Sequence, residues 1–437
     1  MSKCKKIGVT IGAIVVVGAV VAGGWAYNTL NTQRSSVADD KVALADFHSD
    51  DKDAITRGEY VMRMGDCAAC HTKGQGDFAG GYKIETPFGT LVSSNITPDA
   101  DTGIGKMTER DFFNAVRQGI GSHGLLYPAM PYTAYAKLSD ADMHDLWAYM
   151  STIKPVKNDI DENGGMSFPF NIRLAMAGWD MLFFDNNGFE PDTSKDEAWN
   201  RGKYLVDGPG HCSACHSPRN LLSAEKSDEY LWGAPLEGYH AADLTSNDAV
   251  GLGQHSPEEI AEYLRTGINS LGAAGGPMAE AVEHSLQYMT EDDAMAMATY
   301  LKSVPASTNK AAEPMDLGDA KSALADTYEV NCSACHGLDG EGIDGMIPAF
   351  ASNTGFQSDD AASMIHAMLV GARAPYTQYR QTAAGMPSFA WKFNDQQIAD
   401  ILNYVRNSWG NGAKPVSVDQ VTEMRKELDA AQPRRAN

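Results

Sequence analysis

Six of the seven cysteines in this 437-residue chain fall into three copies of one pattern: Cys67-Ala-Ala-Cys70-His71, Cys212-Ser-Ala-Cys215-His216 and Cys332-Ser-Ala-Cys335-His336. With cysteine and histidine this scarce, a single such match by chance has a probability of roughly 0.003. The spacing has a chemical reason. On a helical turn, positions i, i+3 and i+4 share a face, so two thiols can form thioethers to the edge of a haem while the next imidazole reaches its iron. A zinc ribbon accounts for Cys-x-x-Cys pairs but leaves each following histidine unexplained and the third pair without a mate. A disulfide framework suits a short secreted chain better than this one. The pattern predicts three haems c, attached through Cys67, Cys70, Cys212, Cys215, Cys332 and Cys335, with His71, His216 and His336 as axial iron ligands.

Laid side by side, the segments around the motifs form a threefold repeat. A helical approach precedes each motif: Thr56-Arg-Gly-Glu-Tyr-Val61, then Asn200-Arg-Gly-Lys-Tyr-Leu205, then Ala320–Val330 without the Arg-Gly. A long loop follows, then a helical stretch ending in glycine, at Phe112–Gly119, Ile260–Gly267 and Ile365–Gly371. Each repeat closes with a helix whose opening, Ser139-Asp-Ala-Asp, Thr290-Glu-Asp-Asp or Asn394-Asp-Gln-Gln, puts a capping side chain over the free N–H donors. Three small all-α units, each wrapped round one haem, are expected from this order.

Before each closing helix lies a turn-rich stretch with one methionine, Tyr127-Pro-Ala-Met130-Pro, Gly275-Gly-Pro-Met278 or Ala384-Gly-Met386-Pro. A thioether suits haem iron, and Met/His ligation raises the potential and closes the iron to substrates, which fits electron transfer rather than oxygen chemistry. Met130, Met278 and Met386 are therefore the expected sixth ligands. The competing readings are methionine as core filler, with Met289 close to Met278, and bis-histidine ligation through His284 or His366. His123, His144, His240 and His255 read as surface or loop residues.

Lys3, Lys5 and Lys6 precede the uncharged run Ile7–Tyr27, long enough to cross a bilayer core of about 30 Å at about 1.5 Å per residue. The lysines place the start in the cytoplasm and the body outside, on the periplasmic side of an inner membrane. A cleaved signal peptide ending near Gly24-Trp25-Ala26 is the alternative. Cys4 precedes this run and reads as a spare thiol. The segment Ile172–Phe184 is apolar almost all round, which predicts either a buried helix or one that grips a membrane or a partner. The net charge of −22, from scattered carboxylates, argues against nucleic acid as a partner.

Gly65-Asp-Cys-Ala-Ala-Cys-His71, Ser94-Asn-Ile-Thr-Pro98 with Gly103-Ile-Gly105, and Tyr127-Pro-Ala-Met-Pro-Tyr132 carry a more specific likeness. So do Gly208-Pro-Gly-His-Cys-Ser-Ala-Cys-His-Ser-Pro-Arg219 and Ser408-Trp-Gly-Asn411. With these the chain resembles, over about residues 55–412, the triple-haem cytochrome c subunits of membrane-bound dehydrogenases of acetic acid bacteria. That resemblance implies three consecutive class I cytochrome c-like domains behind an N-terminal transmembrane helix. It implies a separate periplasmic dehydrogenase subunit, of molybdopterin, quinoprotein or flavoprotein type, which oxidises the substrate, with ubiquinone in the membrane as acceptor. The retained N-terminal helix is more similar to cytochromes that accompany molybdenum hydroxylases, which favours aldehyde oxidation.

The expected domains are an anchor or signal peptide at 1–30, haem domains at 52–155, 196–305 and 319–412, linkers at 156–195 and 306–318, and a tail at 413–437. The linker at 156–195 carries the apolar helix. No Rossmann glycine fingerprint or catalytic triad pattern is present, so no substrate-oxidising site is assigned. The alternative to a dehydrogenase subunit is a free-standing multihaem membrane cytochrome that feeds a terminal oxidase.

Overall fold

The computed structural model describes residue 24 and residues 41–431, apart from 237, 270, 271 and 352. The chain divides into two compact units, Met1–Glu190 and Pro191–Asn437.

In the first unit, α1 (Lys52–Met64) opens on Asp51, whose carboxylate accepts from the N–H groups of Asp53 and Ala54, and leads into the short α2 (Cys67–His71). The chain then forms a hairpin of β1 (Lys83–Thr86) and β2 (Gly89–Val92). Next comes α3 (Glu109–Gln118), opened by a reciprocal capping box between Thr108 and Asp111, and then α4 (Asp140–Met150), capped by Ser139. The two-residue strand β3 (Gly165–Met166) and α5 (Met176–Phe183) complete the unit. Its core is the crossing of α1 and α4, where Met62, Met143 and Trp147 are buried and the Phe47 and Phe112 rings sit 5.6 and 5.5 Å from that of Trp147.

Why α1 and α4 cross so closely is written in the Arg-Gly pair. A Cβ at Gly58 would stand 1.9 Å from the carbonyl oxygen of Asp145, so only glycine lets the helices meet there. Arg57 forks onto the carboxylate of the same Asp145, at 2.6 and 2.9 Å.

In the second unit the device recurs. The helix α6 (Glu197–Asp207) precedes α7 (Ser213–His216), the hairpin β4 (Ala234–Leu236) and β5 (Tyr239–Ala241), α8 (Pro257–Thr266), α9 (Pro277–His284) and α10 (Glu291–Ser303). A Cβ at Gly202 would lie 1.9 Å from the Ala296 carbonyl oxygen, and Arg201 forks onto Asp293 with both bonds at 2.8 Å. Then follow α11 (Ala320–Asn331), α12 (Ser333–His336), α13 (Ala362–Val370), β6 (Ala372–Arg373), β7 (Gly385–Met386), α14 (Asp395–Arg406) and α15 (Val418–Ala431). The third repeat lacks Arg-Gly, and α11 meets α14 through aromatic rings instead, with Tyr328 5.7 Å from Tyr404 and 5.0 Å from Trp409. The C-terminal helix α15 covers α13 and α14, burying Val421 among Ile365, Ile398 and Leu402.

Three expectations need correction. The fold is not all-α. Antiparallel ladders join β1 to β2 and β2 to β3, β4 to β5, and β6 to β7. In the longest, Ile84, Thr86, Thr90 and Val92 are β-branched residues that favour a pleated strand.

The expected transmembrane anchor at Ile7–Tyr27, and Cys4 before it, lie outside the described residues. Among the described residues no helix is long and apolar enough to cross a membrane. The N-terminal anchor, and the inner-membrane placement derived from it, are therefore not supported.

Finally, Ile172–Phe184 is not one buried helix. A 3-10 turn over Arg173–Ala175 precedes α5, and Leu174, Met181 and Leu182 are exposed. It is Asp180 that turns inward, accepting from the Tyr132 hydroxyl at 2.7 Å. Arg173 is tied to Glu162 and to the Leu125 carbonyl.

Candidate functional site

Each Cys-x-x-Cys-His motif forms one short helical turn, in α2, in α7 with Cys212 at its cap, and in α12 with Cys332 at its cap. Among the described residues no disulfide joins the six motif cysteines. Burial pushes the Cys67 and Cys212 thiols up to about 12 and the Cys332 thiol up to about 11. A neutral sulfur is what these sites favour, and both a thiol and a thioether qualify.

Burial also holds the three motif imidazoles below the ordinary histidine range, His336 at about 4. Neutral imidazole is the form that ligates a metal. Its free nitrogen is set by what the other one does. His71 Nδ1 donates to the Ser94 carbonyl at 2.7 Å and His216 Nδ1 to the Ala242 carbonyl at 2.6 Å, which leaves Nε2 in each ring as the lone-pair nitrogen. His336 differs: its Nδ1 has no hydrogen-bond partner, and its ring stacks on Phe350 at 4.2 Å. Paired cysteines on one helical turn, neutral imidazoles, and an Nε2 lone pair at His71 and His216 fit a covalently attached haem.

The two acceptor carbonyls belong to matching loops that the sequence displayed without explaining. After Ser94, Asn95 Oδ1 accepts from the N–H and hydroxyl of Thr97, at 3.0 and 2.8 Å. After Ala242, Asp243 Oδ1 accepts from the N–H and hydroxyl of Thr245, at 2.9 and 2.6 Å. Both threonines are fully buried, and each hydroxyl accepts a backbone N–H from the segment after the closing helix, Val156 in one case and Ser307 in the other. The signal lay in the shared order small residue, Asn or Asp, apolar residue, Thr. These loops hold the carbonyls against the motif histidines.

The three methionines sit in different local settings. Met130 lies half-buried in the turn before Tyr132, its N–H bonded to the Tyr127 carbonyl. Met278 is the second residue of α9 rather than a loop residue, and it too is half-buried. Met386 lies on β7, paired with Ala372 of β6, and packs against the core between α13, α14 and α15.

Of the competing groups, Met289 is buried in the core, His284 is exposed at the end of α9, and the His366 ring lies 4.2 Å from that of Tyr239. His123 is exposed, and His144 pairs with Glu109 at 2.6 Å. His255 is half-buried, and burial holds it below its usual range. His240 is half-buried and faces Asp360 at 3.4 Å rather than lying on the surface.

Residues 323–409 match the cytochrome c family model, and residues 53–150 match the model for subunit III of cbb3-type cytochrome c oxidase. Over 88% of its length the chain is 41% identical to the gluconate 2-dehydrogenase cytochrome c subunit of Pantoea cypripedii, 92% of which is covered. It is 37% identical, over 88% of the chain and 85% of the relative, to the alcohol dehydrogenase (quinone) cytochrome c subunit of Gluconobacter oxydans. It is 38% identical, over 85% and 82%, to the fructose dehydrogenase cytochrome subunit of Gluconobacter japonicus.

Proposed function

The chain belongs to the family of cytochrome c subunits of dehydrogenase complexes, and from that premise we propose that it binds three haems c and carries electrons from a catalytic dehydrogenase subunit to ubiquinone. What supports this reading is the short helical turn, found at all three motifs, that brings two cysteines and a histidine together. Haem c, when bound, supplies a one-electron iron couple.

The rest falls to the chain's own residues. Cys67, Cys70, Cys212, Cys215, Cys332 and Cys335 would hold the porphyrins through thioethers, and His71, His216 and His336 would hold the iron. The Ser94 and Ala242 carbonyls fix the orientation of the first two rings and raise their basicity. Met130, Met278 and Met386 would hold the iron of a bound haem from the other side, which would keep water and small substrates from it and raise its potential.

The dehydrogenase partner, whether molybdopterin, quinoprotein or flavoprotein, is where substrate chemistry takes place. The preference for aldehyde as substrate rested on the N-terminal helix and gains nothing from the haem segments. A free-standing cytochrome is disfavoured because the relatives above are themselves dehydrogenase subunits.

The test is purification with the partner complex in mild detergent, followed by haem counting on the isolated chain and reduction of a ubiquinone analogue by substrate. Three haems per chain and substrate-driven quinone reduction are expected. Fewer than three haems, or a chain that purifies alone without such activity, would refute the proposal. In the same preparation Met278→Ala should abolish one of three low-spin Met/His signatures.

A further inference from the structure

The sixth-ligand candidates of the second and third repeats, Met278 and Met386, sit on elements that one side chain ties together. Met278 is on α9, and Glu283 follows on the same helix, about 7.5 Å further along at about 1.5 Å per residue. Glu283 Oε1 accepts from Arg373 Nη2 at 2.8 Å and from the Tyr376 N–H at 2.6 Å. Arg373 is on β6, where its register partner on β7 is Gly385, the residue next to Met386.

A second pair of bonds supports the first. Gln287 accepts from the Gln378 N–H through Oε1 and from Gln378 Nε2 through its carbonyl, both at 2.8 Å. From α8, Arg265 donates to the Tyr379 hydroxyl at 2.6 Å. Thus the excursion between β6 and β7, which delivers Met386, is held from outside its own repeat.

We propose that Glu283 is a positioning residue for Met386: a carboxylate of the second repeat that holds the third repeat's ligand strand in place and couples the two distal sides. This rests on the assignment of Met278 and Met386 as axial ligands. Opening one side transmits to the other through a single rigid helix and a two-bond clasp. The Arg373 side chain is more than half exposed, so the ion pair alone is weak, and the backbone bond to Tyr376 carries much of the hold.

The experiment uses the full-length holoprotein and compares Glu283→Ala, Glu283→Gln and Arg373→Ala, with Met278→Ala and Met386→Ala as reference variants. Two readouts are followed: the thioether-to-iron charge-transfer band, and competition by imidazole, which replaces the thioether sulfur with nitrogen on the metal. The reference variants identify which part of each signal belongs to which repeat.

With both bonds lost, Glu283→Ala should raise imidazole affinity about tenfold at the Met386 site, equivalent to about 1.4 kcal/mol. Glu283→Gln and Arg373→Ala should give a smaller rise at the same site, because each spares the bond to the Tyr376 N–H. Unchanged affinity in all three variants, or a change confined to the Met278 site, would overturn the clasp. If Met386→Ala itself left every band in place, the ligand assignment would fall, and the clasp with it.

Discussion

Gly58→Ala is a severe substitution by one methyl group. At Gly58 the new Cβ would lie 1.9 Å from the Asp145 oxygen, 2.5 Å from its carbon and 2.8 Å from Tyr149 Cβ, whereas ordinary contact begins at 3.4 Å. Relief requires α1 and α4 to part by about 1.5 Å, because the obstruction is helical backbone and not a side chain that can swing away. Overpacking of this kind costs about 1–3 kcal/mol. The rigid obstacle places Gly58 at or above the top of that range.

Against it stands a gain of about 0.5–1 kcal/mol, the usual benefit of alanine over glycine inside a helix. The net expectation is a loss of about 2 kcal/mol, or roughly 4–8 °C in the midpoint of the unit Met1–Glu190. A Cβ added at Gly178, in α5, would meet nothing within 4 Å, so Gly178→Ala should be neutral or slightly stabilising. Scanning calorimetry of the holoprotein reads both. Because the chain has two compact units, the affected transition is identified by comparison with Gly202→Ala, which should move the other one. Equal midpoints for Gly58→Ala and Gly178→Ala would refute the view that glycine is required by the crossing.

Thr245→Val keeps the shape of a fully buried side chain but leaves the Ser307 N–H without its acceptor, at an expected cost of about 1–3 kcal/mol; an unchanged urea midpoint would count against the loop's role. Asp360 is held below the ordinary carboxylate range by its contact with His240. Its folded pKa is thus depressed, so the stability it lends is complete above about pH 4 and is lost as pH falls through the folded value. Asp360→Asn should therefore cost no more than about 1 kcal/mol at neutral pH, since the carboxylate is partly exposed, and the variant and parent should converge in acid. A difference that persists in acid would show that the Asp360 carboxylate's contact with His240 is not its source.

What could be read from the residues alone was what is local. Thioether attachment needs two thiols and an imidazole within one turn, so the motif had to be contiguous. Ser139, Thr290 and Asn394 cap helices through bonds to N–H groups three residues on, and each does so here. The Arg-Gly pairs were equally visible, but their reason was not, because Asp145 lies 88 residues from Arg57 and Asp293 lies 92 from Arg201. Ser94 and Ala242 were hidden further still, since they act through backbone carbonyls that any residue carries.

The apolar stretch at Ile172–Phe184 shows the limit most clearly. Periodicity ranks positions by hydropathy and so assigns Arg173 and Asp180 to the outside. Burial followed hydrogen-bond partners instead: Tyr132 claims Asp180, Glu162 and Leu125 claim Arg173, and Leu174, Met181 and Leu182 face outward. A polar side chain whose bonds are satisfied can be buried at little cost, whereas the same side chain unpaired costs about 1–3 kcal/mol. Which of the two applies depends on residues tens of positions away, so hydropathy alone had no means of choosing the buried face.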